Sequence, residues 1–165
     1  MLDTKKVDVR DGVSLIALGD TLLVLWKSPA SLDRWAFQVN RMETMCVSRA
    51  QGIVCLGLIM EDSDPPNAAL RQQMQADLTR MGVRVRRLIV VPLGNSLWLS
   101  LVRTIARGVL LLSGHSQQQR VCADVRQGLD QVRAAAGPET PSIAELLRGV
   151  EAISLALGFK ASLAA

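Results

Sequence analysis

The sequence is poor in the residues that most often carry chemistry. Of its 165 residues only 3% are aromatic, and there is no tyrosine. It contains a single histidine, His115. Its three cysteines, Cys46, Cys55 and Cys122, are far apart and odd in number. That set argues against a zinc site and against a disulfide framework. Cys46 and Cys55 sit in apolar company and read as small core residues in a reducing compartment. The longest apolar stretches, such as 109–112, fall far short of a bilayer span, so no transmembrane segment is expected. The start, Met1-Leu2-Asp3-Thr4-Lys5-Lys6-Val7-Asp8, has no apolar signal-peptide core, and a cytoplasmic location is expected. Neither a phosphate-loop lysine pattern nor Gly-x-Gly-x-x-Gly occurs. No cofactor or metal is expected.

What is present is a large apolar fraction, 49%, against 21% charged residues. The length suits one domain with a short extension and is enough to bury a real core. The formal charge of +4 comes mostly from arginine and can steer acidic partners without specifying a fold.

Two short β-type runs, 13–18 and 21–26, flank Gly19-Asp20, which reads as a two-residue hairpin turn. Ser28-Pro29 reads as a helix start. Leu32, Trp35, Val39, Met42 and Cys46 then recur at three- and four-residue steps, an apolar stripe along one helix. The unbroken apolar run 53–60 fits a strand covered on both faces. It ends in Glu61-Asp62-Ser63-Asp64-Pro65-Pro66, where Ser63 or Asp64 is expected to cap the next helix, with Pro65 in its first turn. Leu70, Met74, Leu78 and Met81 mark that helix, and Gly82 ends it. Residues 83–91 are expected to form a strand, followed by a turn over 92–96 and an unusually apolar helix over 98–112. Ser116 and Gln119 have capping-box spacing ahead of Val121, Val125, Leu129 and Val132. Residues 137–141, Gly-Pro-Glu-Thr-Pro, read as a linker. Ser142 and Glu145 form a second capping box for a strongly amphipathic helix that ends at Gly158.

The resulting order is β-β-α-β-α-β-α-α, then a linker and a further helix. It implies an α/β fold with a mixed, largely parallel sheet and covering helices. The expected organisation is one α/β domain over 1–136, a linker over 137–141, and a C-terminal helix and tail over 142–165.

Across residues 15–134 that pattern resembles the STAS family (sulfate-transporter and anti-sigma-factor-antagonist domains). The resemblance rests on the strands 22–27, 53–60 and 83–91, the Asp62-Ser63 step, and the closing segment 103–132. It implies a small non-enzymatic module that binds protein partners and, in some members, small ligands or nucleotides. In the antagonist subfamily a serine at a helix start after a central strand is phosphorylated and switches partner binding; here that position is Ser63. The family's Asp-Ser-Ser/Ala-Gly signature is replaced by Asp62-Ser63-Asp64-Pro65-Pro66.

The candidate site residues fall into three groups. The turns after the two central strands lie where open α/β sheets place ligands: the one with Asp62 and Ser63 could be a switch, ligand or cation site, and the one with Asn95 and Ser96 could hold an anion at a helix start. The bland reading of both is a solvated turn that caps a helix. Arg84, Arg86 and Arg87, with Arg80 nearby, form the densest basic cluster, and Arg84 and Arg86 are expected on one side of a strand. They suit an acidic protein partner, or else a charged edge strand. The scarcity of aromatics argues against nucleic acid. Leu146, Leu147, Val150 and Ile153 form the stripe of the last helix. They are buried either on the chain's own domain or against a partner, including a second copy. His115 could serve a hydrolase only if it approached a serine or cysteine. The expected function is a non-catalytic regulatory or scaffold module that acts by protein contact and self-association. The alternatives are a small-ligand or nucleotide sensor built at the Ser63 and Ser96 turns, and a small hydrolase.

Overall fold

A computed structural model describes residues 6–27, 29–61, 63–112 and 118–159; Ser96 and residues 110–112 are described by backbone alone. Six strands form one mixed sheet in sequential order: β1 (Asp8–Arg10), β2 (Val13–Leu18), β3 (Thr21–Trp26), β4 (Ile53–Met60), β5 (Val85–Leu93) and β6 (Gln119–Val121). The first two neighbouring pairs are antiparallel and the remaining three are parallel. Among the described residues, five α-helices complete the mixed α/β fold: α1 (Leu32–Ser48), α2 (Ala68–Met81), α3 (Ser96–Leu112), α4 (Val125–Ala134) and α5 (Ile143–Ala156).

The sequential strand order explains how the faces are covered. From β3 to β6 every parallel crossover steps the same way across the sheet. Connections of one hand taken in one direction deliver all their helices to one face. α1, α2 and α3 accordingly share a core with Val13, Leu15, Leu22, Val24, Ile53, Cys55 and Leu88. The alternate strand residues, including Ile16, Leu23, Leu25, Val54, Leu56, Leu58, Ile89 and Val91, face the other way, onto α4 and α5. β3 and β4 read as unbroken apolar runs because both of their faces are covered.

That geometry decides between the two burials open to the last helix, in favour of the chain's own domain. Leu146, Val150 and Ile153 have no exposed surface and pack on the chain's own sheet; only Leu147 faces outward. Without α5 the second face of β2 and β3 would lie open. Burying each of these side chains contributes about 1.5–3 kcal/mol. Gly149 lets α5 approach this closely: a Cβ there would stand 2.6 Å from Leu23 Cδ1 and 2.7 Å from Leu18 Cδ1. Ser14 Oγ also donates to Ile153 O (2.8 Å). The expected capping box of Ser142 and Glu145 is present.

Residues 137–141 are a strap and not a free linker. Asp20 N donates to Glu139 O (3.3 Å) and Thr140 Oγ1 donates to Asp20 Oδ2 (2.9 Å). Gly19, the first residue of the hairpin turn, has φ +55°, and a Cβ there would collide with Glu139 O. Asp20 is almost wholly buried, accepts from Thr21 Oγ1 (3.1 Å) and pairs with Arg86.

Other boundaries differ from the sequence expectation for local reasons. α1 starts at Leu32 with Ser31 as its cap, and Ser28 lies outside the described residues. α2 starts at Ala68, capped by Asn67, because each of two consecutive prolines keeps the residue before it extended. Residues Gly82–Arg84 form a 3₁₀ turn, so β5 begins at Val85. Val121 belongs to β6, and Asp124 caps α4.

Candidate functional site

The first face is incompletely filled. A cavity of about 110 Å³ lies at the carboxyl ends of β3, β4 and β5, beneath α1, α2 and α3. Trp26, Gly57, Ile59, Leu88 and Val90 form its sheet side, and Trp35 and Gln38 of α1 close one flank. Leu70, Met74 and Leu78 of α2 close another, and Val102, Ile105, Ala106 and Val109 of α3 form the roof. Ala30 and residues Ser63 to Pro66 make the rim.

Two local features leave the space open. Gly57 sits mid-strand, where alternation would place a side chain on this face. A Cβ built there would meet only Ile89 O, at 3.8 Å. The prolines keep 64–67 out of the helix at the rim, so α2 winds only from Ala68.

The walls are apolar because their polar atoms are used elsewhere. Trp35 Nε1 donates to Asp77 Oδ2 (2.8 Å), away from the cavity. Trp26 Nε1 donates to Gln38 Oε1 (2.8 Å). An indole N–H is donor only, so this bond fixes which end of the Gln38 amide is oxygen. Gln38 Nε2 is thereby aimed at Met42 Sδ and Cys55 Sγ, each 3.7 Å away. Burial pushes the Cys55 thiol up to about 12, so it stays a neutral packing group. For Asp77, burial alone would raise the pKa. Hydrogen bonds from Arg80, Gln73 and Trp35, with the Arg80 charge, outweigh that and hold the carboxyl below its usual range.

The sequence-selected residues distribute unevenly around this site. Ser63 is at the rim and only 2% exposed, so modifying its hydroxyl requires the rim to move. Asp62 and His115 lie outside the described residues. Asn95 caps α3, accepting from Trp98 N (3.0 Å), and Ser96 begins that helix. The expectation of an open anion site at Asn95 and Ser96 is corrected: the anion at this helix start is the chain's own Glu61. Its carboxylate accepts from Asn95 N (3.2 Å) and from Asn95 Nδ2. The Ser63 and Asn95 turns therefore meet at one end of the sheet, but the second lies outside the cavity lining.

The arginine surface is corrected too. Arg84 lies in the 3₁₀ turn and is exposed. Arg86 falls at the register shift between β4 and β5, where it pairs with Asp20 and lies against Gly137. Arg87 Nη1 donates to Gln131 Oε1 on α4 (2.7 Å). Two of the three thus tie the fold together and do not form a shared patch with Arg84.

Sequence reasoning missed Gln38 and Gly57. Their signals were a polar residue inside the apolar stripe of α1, three residues after Trp35 and four before Met42, and a glycine midway through the apolar run of β4.

No family model, curated protein or solved structure matches this chain. Fold and site together define its class: a mixed α/β domain with an apolar cavity between its sheet and α3. Among the described residues no helix is long and apolar enough to cross a membrane, and no cluster of three or more potential metal ligands occurs.

Proposed function

We propose that the protein is a non-catalytic regulatory module whose input is a small apolar molecule held beneath α3 and whose output is a protein contact made by that helix. The observation that carries this reading is the apolar cavity between β3, β4, β5 and α3, a concave space of the kind that small apolar ligands occupy. Val102, Ile105, Ala106 and Val109 face the cavity, so an occupant completes the packing of α3. The same helix exposes Leu97 and Leu101, which offer an apolar ridge to a partner. The STAS resemblance supports a binding module of this kind. The nucleotide variant has less support, since Glu61 already fills the α3 start where a phosphate would sit.

A thermal-shift titration with cyclohexane tests the reading. A ligand that binds only the folded chain stabilises it by about 2.7 kcal/mol at a hundredfold excess over Kd. For a chain of this size that raises Tm by about 5–10 °C. A flat titration up to the solubility limit of cyclohexane counts against the reading.

A further inference from the structure

We infer that the cavity is a one-ended channel for a linear aliphatic chain of about six carbons with a single polar end, such as a medium-chain primary alcohol, bound tail inward. This inference rests on the reading of the cavity as a ligand site.

Exposure changes along the cavity in one direction. The crossover helices run back towards the strand starts, so Leu78 of α2 and Val109 of α3 meet Leu88 of β5 at that end, and all three are buried. At the other end Ala30, Ile59, Pro65 and Pro66 are half-buried, and Asp64 is the one exposed residue among the described lining. Met74, Val90, Ile105 and Ala106, between the two ends, are half-buried. The first end is blind and the second is the mouth.

Length follows from register. Ile59 lies opposite Pro92, four residues past Leu88, so the lining extends about 13 Å along the strands. A sphere of about 110 Å³ would be only about 6 Å across, so the space is drawn out and suits a chain better than a ring. An apolar cavity that takes benzene measures roughly 150 Å³, which limits the buried part of an occupant here to about six carbons.

Polarity divides the cavity in the same direction. Inside the mouth the polar lining side chains are Trp26, Trp35 and Gln38. Gln38 Oε1 accepts from the Trp26 indole, and Asp77 accepts from the Trp35 indole. Gln38 Nε2 points to Met42 and Cys55, neither of which lines the cavity. Among the described lining residues, therefore, no side-chain polar atom inside the mouth is turned to an occupant. A ligand hydroxyl buried there would lose its hydrogen bonds to water without replacement, which lowers affinity by about tenfold or more. At the mouth, beside the exposed Asp64, a polar end stays hydrated.

The experiment titrates the wild-type protein with the primary alcohols from 1-butanol to 1-octanol, and with 3-hexanol, by methyl NMR. Affinity should rise about fourfold per methylene up to 1-hexanol. Beyond that it should change by less than about twofold per methylene, because the added carbons remain in water at the mouth. A rise that continues unbroken to 1-octanol overturns the length limit, and a steep fall overturns the open mouth. The isomer 3-hexanol should bind about tenfold more weakly than 1-hexanol, since reaching the blind end buries its hydroxyl; equal affinities overturn the placing of the polar end. In bound 1-hexanol, nuclear Overhauser effects should connect the terminal methyl to Leu78, Leu88 and Val109. The protons beside the hydroxyl should connect to Ala30 and Ile59, and the reverse pattern overturns the orientation. If cyclohexane binds and these patterns fail, the ligand site stands and the channel does not. If neither cyclohexane nor any of the alcohols binds, the reading of the cavity as a ligand site fails, and this inference with it.

Discussion

Replacing Gly57 with alanine should stabilise the protein, which is unusual for a buried glycine. Most buried glycines sit against something, but this one faces the cavity. Its Cβ would meet a single atom at ordinary van der Waals distance, and its φ lies outside the left-handed region. Alanine in a strand interior gains about 0.5–1 kcal/mol over glycine from the unfolded chain's lost freedom. The methyl group, buried in a dry space, adds about 0.8 kcal/mol. The sum is about 1–2 kcal/mol, or about 2–8 °C in Tm for a chain of this length. Urea unfolding and calorimetry both read it. The larger Gly57→Val should keep the gain while lowering the affinity for cyclohexane by at least tenfold. If Gly57→Ala instead destabilises by a kcal/mol or more, the space beside β4 is packed, and the physical basis of the site is wrong.

Three further outcomes test the rest of the fold. Gly149→Ala should cost about 1–3 kcal/mol in urea unfolding, because its methyl overlaps Leu18 and Leu23; neutrality would mean that α5 is not seated on β2 and β3. Asp20→Ala should cost about 3–5 kcal/mol, since Arg86 loses its partner and the 137–141 strap loses Thr140. Faster hydrogen exchange at Thr140 N, which donates to Gly137 O, would accompany it. Asp77 has a depressed pKa in the folded chain, so its contribution is fully present above the unfolded carboxyl pKa and is lost as pH falls through the folded value. The acid limb of stability against pH should therefore be shallower in Asp77→Asn than in the wild type, and identical limbs would contradict the assigned hydrogen bonds.

The fold class was legible because its signals are local. The hairpin at Gly19-Asp20, the stripe of α1, the unbroken run of β4 and the capping box at Ser142 each depend on a few neighbouring residues. The edge strands β1 and β6 escaped because three polar-leaning residues carry no periodicity. Val121 was drawn into a helix by chance spacing with Val125. The destination of α5 depends on something no window contains. Only a sheet that grows in one direction places α1, α2 and α3 on one face and leaves α5 to cover the other. The arginines misled for a similar reason: the partner of Arg86 is Asp20, 66 positions away. The site was the least legible part. It is made of an absence, the missing side chain at Gly57, and of one buried amide on α1 whose orientation is decided by an indole on β3.

The central claim is that the face beneath α3 holds an apolar, ligand-accessible space. Xenon under pressure, followed by methyl NMR, tests it most directly, since xenon enters dry apolar cavities with few demands on chemistry. The account predicts saturable shifts at Ile59, Val102, Ile105 and Val109, with Val150 and Ile153 unmoved. Shifts absent from the first group, or equal on both faces, would contradict it.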